Sequence, residues 1–219
     1  MIETYADSRG LAEAASTGVA ACLREGLAMR SRASLVATGG RSPGPVYDLL
    51  KDAALDWARV NITLSDERCV ASDAPEANAQ LVRERLLTGP AAKAHLIPLW
   101  PAPEPALLQA LMPFDAVMLG MGEDGHVASL IPGDPALPDL LEPDGRALLV
   151  QVPEGLGKPP VARVTLTLSA LLASRAIFLL IAGSAKRQVI DRAAAGAALP
   201  VAVLLNQSTV PVRVFWTPN

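Results

Sequence analysis

Short apolar runs alternate along this chain with longer stretches of helical spacing, and glycine and proline punctuate both. Ser34–Thr38, Val60–Leu64, Ala116–Leu119, Ala147–Val152, Ala176–Ala182, Pro200–Leu205 and Val212–Trp216 predict strands, most of them buried. Arg163–Thr167 alternates polar with apolar, which predicts a half-exposed edge segment. Leu11, Ala15, Val19, Cys22, Leu23 and Leu27 predict a helix over Gly10–Met29 with one apolar stripe. Val46–Lys51, Asn78–Leu87 and the stretch from Lys186 to Ala195 predict further helices. The most apolar run is Leu166–Gly183. Arg175 breaks it between Ser169, Ser174 and the strand, so it predicts a short helix and then a buried strand, not a membrane span. Pro98, Pro101, Pro103 and Pro105 predict an irregular connection followed by a short helix, and His95, ahead of Leu96 and Ile97, reads as structural.

Strands alternating with helices predict an α/β protein. A length of 219 residues and a hydrophobic fraction of 51% suit one domain over residues 1–219 with a sizeable core. The net charge of −3 leaves no basic field for nucleic acid, and 4% aromatics give few platforms for stacking bases. An anionic substrate would therefore need a local cluster of cations. Cys22 and Cys69 have neither metal-ligand spacing nor the makings of a disulfide framework, which fits a reducing cytoplasm. The N-terminus carries acids and no apolar core of a signal peptide.

The chemistry concentrates in Phe114–Gly133, FDAVMLGMGEDGHVASLIPG. A short strand breaks into Gly120, Gly122 and Gly125, with Glu123 and Asp124 inside the turn and His126 directly after it. Ligands of open α/β sheets bind at the carboxyl ends of strands, and histidine is the side chain that titrates near neutrality. The glycines also fit G-x-G-x-x-G, but Pro132, Gly133, Pro135 and Pro138 cut short the helix that a dinucleotide fingerprint requires. Glu123 and Asp124 would also repel a pyrophosphate, so no cofactor is expected.

Three other strand ends carry polar groups. Gly39-Gly40-Arg41-Ser42-Pro43 follows the strand at Ser34 and precedes a helix, an arrangement that aims backbone N–H groups at a phosphate. Ser65-Asp66-Glu67-Arg68 offers a guanidinium that matches phosphate, with Asp66 as a group to orient that arginine or a histidine. Gly183-Ser184-Ala185-Lys186 puts a lysine in a first helical turn, a conflict with the helix dipole that a bound anion would remove.

Together these stretches resemble the 6-phosphogluconolactonase family, in the family's order from Leu35 to Lys186. The carriers are TGGRSP at Thr38–Pro43, SDER at Ser65–Arg68 with Asn78 beyond, LGMGEDGHVASLIPG at Leu119–Gly133, PPVARVTLT at Pro159–Thr167, and the turn from Gly183 to Lys186. Ser42 stands where threonine is common and Ile131 where phenylalanine is common; the aromatic residues often found before SDER are absent. The resemblance implies a three-layer, Rossmann-like doubly wound fold of the type shared with glucosamine-6-phosphate deaminases. It implies metal-independent hydrolysis of 6-phospho-D-glucono-1,5-lactone, in the cytoplasm, by a monomer or small homo-oligomer. His126 would be the general base, with Asp66 orienting it or a sugar hydroxyl. Gly39, Gly40, Ser42, Arg68 and Lys186 would hold the phosphate, with Arg163 a further candidate and Asn78 at the same site. Backbone N–H groups of the Gly120–Gly125 turn would meet the oxyanion. Two rivals are a related deaminase or isomerase and a non-catalytic sugar-phosphate sensor. The deaminase motif after the histidine resembles Ile-Ala-Phe-Asn-Glu, whereas Val127-Ala128-Ser129-Leu130-Ile131 supplies neither Asn nor Glu.

Overall fold

The computed structural model describes residues 2–218. The strands are β1 (Ile2–Thr4), β2 (Ala33–Ala37), β3 (Val60–Leu64), β4 (Asp66–Arg68), β5 (His95–Leu96), β6 (Ala116–Gly120), β7 (Leu149–Val152), β8 (Arg163–Leu166), β9 (Ile177–Ala182) and β10 (Val212–Thr217). The helices are α1 (Ser8–Arg30), α2 (Pro43–Leu50), α3 (Asn78–Arg85), α4 (Pro105–Gln109), α5 (Leu137–Leu140), α6 (Leu168–Leu172), α7 (Ser184–Ala194) and α8 (Pro200–Asn206).

Seven strands form one sheet in the order β1-β10-β9-β6-β2-β3-β5, every neighbouring pair parallel. A parallel sheet is covered on both faces, which is why β2, β6 and β9 are almost wholly apolar and buried. From β2 the chain winds outward to β3 and β5, then returns to β6 and winds the other way through β9 to β10. Crossovers between parallel strands in both directions give the doubly wound α/β architecture expected from the sequence. The reversal also leaves a crevice between the carboxyl ends of β2 and β6.

The first helix shows how local sequence fixes this frame. Asp7 caps α1 by accepting the Gly10 N–H at 2.8 Å, and Leu11, Ala15, Val19 and Leu23 bury its apolar stripe. Its last turn is pinned to the start of β6: Arg30 pairs with the fully buried Asp115, whose other oxygen accepts the Ser34 N–H at 2.9 Å. Gly26 makes room for that carboxylate, because a Cβ there would lie 2.5 Å from it. None of the helices among the described residues is long and apolar enough to cross a membrane.

A second sheet, β4-β8-β7, is antiparallel, and it revises two expectations. Ser65-Asp66-Glu67-Arg68 is not simply the loop after β3: residues 66–68 pair with β8 in the register Asp66 to Thr165 and Arg68 to Arg163. Nor is Arg163–Thr167 a half-exposed edge. β8 is the middle strand, and all four of its residues are buried. Its polar positions face a buried polar site instead of water: Thr165 Oγ1 accepts the Ser129 N–H at 3.1 Å, and Arg163 Nη1 lies 3.8 Å from Asp66 Oδ2.

A third correction concerns residues 200–205, expected as a strand and found in α8. The run Val-Ala-Val-Leu-Leu has no period that separates a buried strand from a buried helix. Pro200 decides it: its fixed φ suits a first helical turn, and Leu199 before it is extended. No long helix follows Gly125, and the next one, α5, spans four residues. His95 is exposed on β5, its Nε2 lying 3.2 Å from the Ala58 carbonyl, in keeping with a structural role.

Candidate active site

Four segments, one of them the strand β4, meet over the crevice at the ends of β2 and β6. The first, Thr38–Ser42, is fixed at its root by Tyr47 of α2. The buried Tyr47 hydroxyl accepts the Thr38 N–H at 2.8 Å and donates to the Thr38 carbonyl at 2.7 Å. Gly40 adopts φ +95°, a conformation that favours glycine. Gly39 is needed for a different reason: a Cβ there would lie 1.8 Å from Asn78 Oδ1. Ser42 ends the loop at the N-cap of α2, and its side chain makes no capping bond.

Gly39→Ala is therefore expected to displace the Asn78 amide, which donates to the Asp66 carbonyl at 2.8 Å and to its carboxylate at 3.3 Å. Steady-state turnover at this cleft should drop by at least about tenfold, on the scale of one lost hydrogen bond to a charged group. The melting temperature should move much less, because this backbone position does not need positive φ. Unchanged turnover would show that the loop gives way without disturbing the site.

The second segment is the strand β4, which carries Asp66, Glu67 and Arg68, and their side chains have separate tasks. Asp66 is 6% exposed and lines the cleft. Its Oδ2 accepts from Ser129 Oγ at 2.6 Å, and its Oδ1 accepts from Ser65 Oγ at 3.1 Å. Glu67 is buried and caps α3, accepting the N–H groups of Asn78 and Ala79 at 2.7 Å each. Burial pushes its carboxyl up, and the backbone donors oppose that. Arg68 lines the cleft; its Nη1 reaches the Glu76 carbonyl, while its Nε is buried without a partner.

The third segment is the glycine turn after β6. Gly122 donates its N–H to the His126 carbonyl at 3.0 Å, and Gly125 donates to the Gly122 carbonyl at 3.1 Å. These two N–H groups, expected to meet an oxyanion, instead close the turn. Gly125 sits at φ +84°, and its carbonyl accepts the Val201 N–H at 3.0 Å, so its role is to hold the turn on α8. His126 Nδ1 lies 2.6 Å from Asp124 Oδ1. The hydrogen bond with His126 is the main cause holding the Asp124 carboxyl below its ordinary range, and the charge of His126 adds to it. An ionised carboxylate can only accept, so Nδ1 is the donor to Asp124; in a neutral imidazole that arrangement puts the lone pair on Nε2. Gly122 is the floor under this pair: a Cβ would lie 2.3 Å from the imidazole and 2.4 Å from Asp124 Oδ1. The partner of the histidine is thus Asp124, not Asp66, which bonds to Ser129, Ser65 and Asn78.

The fourth segment starts α7 and brings in Lys186. Burial lowers the pKa of its amine, and the nearby charge of Arg41 lowers it further. An anion between the two cations would relieve that strain.

These segments enclose a cleft of about 150 Å³ lined by Gly39, Gly40, Arg41, Ser42, Asp66, Arg68, Asn78, His126 and Lys186, among others. Of the residues singled out in the sequence, Gly125 and Arg163 do not line it. Arg163 lies behind Asp66, where burial lowers its pKa, and it donates to the Pro159 carbonyl at 2.9 Å. A second recess of about 380 Å³ shares Arg41, Ser42 and Lys186 with the cleft. Sequence reasoning passed over Arg41 and Asp124. The Asp-x-His spacing inside a closed turn was the available signal for Asp124, and the position of Arg41 between two glycines and a serine was that for Arg41. Among the described residues, no group of three or more His, Cys, Asp or Glu is placed to hold a metal ion.

Comparison with known proteins gives consistent matches over nearly the whole chain. The family described as glucosamine-6-phosphate isomerases/6-phosphogluconolactonase matches residues 6–216. A 6-phosphogluconolactonase of Caulobacter vibrioides is 37% identical over 224 residues, covering 98% of this chain and 96% of that one. The crystal structure of a 6-phosphogluconolactonase from Shewanella baltica superposes with a TM-score of 0.88 at 34% identity, covering 99% of this chain and 97% of the other. A monomeric glucosamine-6-phosphate deaminase shares the fold with a TM-score of 0.77 at 19% identity, covering 98% and 96%.

Proposed function

The chain belongs to the family of glucosamine-6-phosphate isomerases and 6-phosphogluconolactonases, and from that premise we propose that His126 activates water to hydrolyse 6-phospho-D-glucono-1,5-lactone to 6-phospho-D-gluconate. It is an enzyme of the 6-phosphogluconolactonase type. The observation that carries the histidine's role is the Asp124–His126 pair, 2.6 Å apart, with the imidazole on the wall of a cleft that also holds Arg41, Arg68 and Lys186.

A lactone is an activated ester, so a base and a positioned carbonyl suffice, and the mechanism calls on no metal. His126 Nε2 takes a proton from water as the water oxygen bonds to C1. The tetrahedral adduct then collapses, the bond from C1 to the ring oxygen breaks, and the imidazolium returns the proton to that oxygen. Asp124 stabilises the imidazolium in between. The phosphate rests where cleft and recess meet, on Arg41, Ser42 and Lys186, with the unpartnered Nε of Arg68 as a further donor. Holding the remote phosphate fixes C1 against the base, which converts binding into rate. Asp66 accepts a hydroxyl of the sugar. A deaminase or isomerase would need one more carboxylate after the histidine, and the position that would supply it is the buried hydrocarbon Ile131, with Leu130 in place of the Asn before it.

A coupled assay on freshly made 6-phosphogluconolactone, corrected for spontaneous hydrolysis, tests this reading. Turnover well above background is expected, and background rates alone would refute it. Lys186→Ala is expected to raise KM for the phosphorylated lactone by about tenfold or more, the scale of one charge-assisted contact. It should leave the slow hydrolysis of unphosphorylated gluconolactone nearly unchanged. Equal damage to both substrates would remove Lys186 from the phosphate site.

A further inference from the structure

Ser129 makes a contact that the reaction as described leaves unused. It is fully buried, lies three residues beyond His126, and is not on the wall of the cleft. Its Oγ–H donates to Asp66 Oδ2 at 2.6 Å, the length of a charge-assisted O–H···O⁻ bond. Its N–H donates to Thr165 Oγ1 at 3.1 Å, which seats it against β8. Between the two residues the backbone is strained: Ala128 sits at φ +50°, in the left-handed region that costs a non-glycine residue free energy. That turn carries the chain from His126, on the cleft wall, to Ser129, beneath Asp66.

The acceptor capacity of Asp66 gives the contact its meaning. An ionised carboxylate offers about four lone-pair directions. Oδ1 receives Ser65 Oγ at 3.1 Å and Asn78 Nδ2 at 3.3 Å, and Oδ2 receives Ser129 Oγ. Arg163 Nη1, at 3.8 Å from Oδ2, adds charge but is too distant for a hydrogen bond. One direction remains, on the oxygen that Ser129 already holds. We propose that Ser129 is a positioning residue: its hydroxyl fixes the Asp66 carboxylate so that the remaining acceptor direction meets a hydroxyl of the bound sugar-phosphate lactone, and it couples that acceptor to the segment carrying His126. The base and the hydroxyl acceptor then keep their spacing through four consecutive residues, 126–129. This inference rests on the lactonase reading of the cleft.

The test compares Ser129→Ala, which removes the donor, with Ser129→Cys, which keeps nearly the same volume and offers only a weak donor. In both, kcat/KM for 6-phosphogluconolactone is expected to fall by about tenfold or more, as for one hydrogen bond to a charged group. Inhibition by inorganic phosphate, which probes only the cation end, should stay within about twofold of the unaltered protein. In an Asp66→Ala background, adding Ser129→Ala or Ser129→Cys should change kcat/KM by less than about twofold. A Ser129→Cys protein with unaltered kcat/KM would reduce Ser129 to packing. Additive losses in the Asp66→Ala background would show that Ser129 does not act through Asp66. The cysteine variant keeps the test decisive if the alanine variant does not fold. An unaltered protein without lactonase activity would bring down the parent reading first; normal activity with undisturbed variants would overturn this inference alone.

Discussion

His126→Ala is expected to lower kcat for 6-phosphogluconolactone by about 10²–10⁴-fold, the range of general acid–base assistance. Binding of the product 6-phosphogluconate, measured by calorimetry, should change only a few-fold, because the phosphate contacts proposed at Arg41, Ser42 and Lys186 are untouched. The imidazole side chain is 30% exposed and sits in a preformed turn, so its loss should not unfold the protein. Asp124→Asn provides the stricter form of the experiment. An amide keeps the shape but can donate to Nδ1, which favours the tautomer with its proton on Nε2. Turnover should then fall by about 10²-fold or more with His126 still in place, as wrong-tautomer variants of histidine–carboxylate pairs do. If His126→Ala retained full turnover, the base would have to be sought elsewhere in the cleft. If only Asp124→Asn did, the aspartate would be a structural neighbour and nothing more.

The largest effect on stability is expected at the opposite end of the sheet. Asp115 is fully buried, accepts the Ser34 N–H at 2.9 Å, and pairs with Arg30 and, at 3.5 Å, with Arg175. Asp115→Ala would leave a buried N–H and two guanidinium groups without their partner. Breaking a buried ion pair from one side costs about 3–5 kcal/mol. The side chains of Arg30 and Arg175 are 25% and 38% exposed and can turn toward water, which places the cost near the lower end, about 3 kcal/mol. In a chain of this size that corresponds to a fall in melting midpoint of about 6–12 °C, read by calorimetry. Activity per folded molecule should be unaffected, since the cleft lies at the carboxyl ends of the strands and Asp115 directly precedes β6. A shift below about 1 kcal/mol would mean that the arginines stabilise the fold equally well without it.

The parallel strands could be read from the chain because strands covered on both faces must be apolar throughout, and Ala116–Gly120 and Ile177–Ala182 are. The loops at their ends could be read because glycine and hydroxyl residues have few other reasons to follow such strands. Two kinds of information were not local. Whether Pro200–Leu205 is strand or helix depends on what it packs against, since its composition permits both. The alternation in Arg163–Thr167 is real, but a sequence pattern does not distinguish a polar side facing water from one facing Asp66 and Ser129. The site divides in the same way. His126, Asp66, Arg68 and Lys186 announce themselves by residue type, whereas Arg41 and the pairing of the carboxylates do not. By residue type Asp66 reads as the partner of the histidine, and Asp124 only as an acid of the turn. Only the fold shows one closing on the imidazole inside its own turn and the other on Ser129.

Gly122 carries a consequence for anyone redesigning this enzyme. With less than a methyl group's clearance beneath both the imidazole and the Asp124 carboxylate, the spacing of these two side chains is encoded in the path of the main chain. Saturation libraries at that position should yield almost nothing. New chemistry at the mouth of the sheet would have to arrive as a grafted segment, with its own geometry built in.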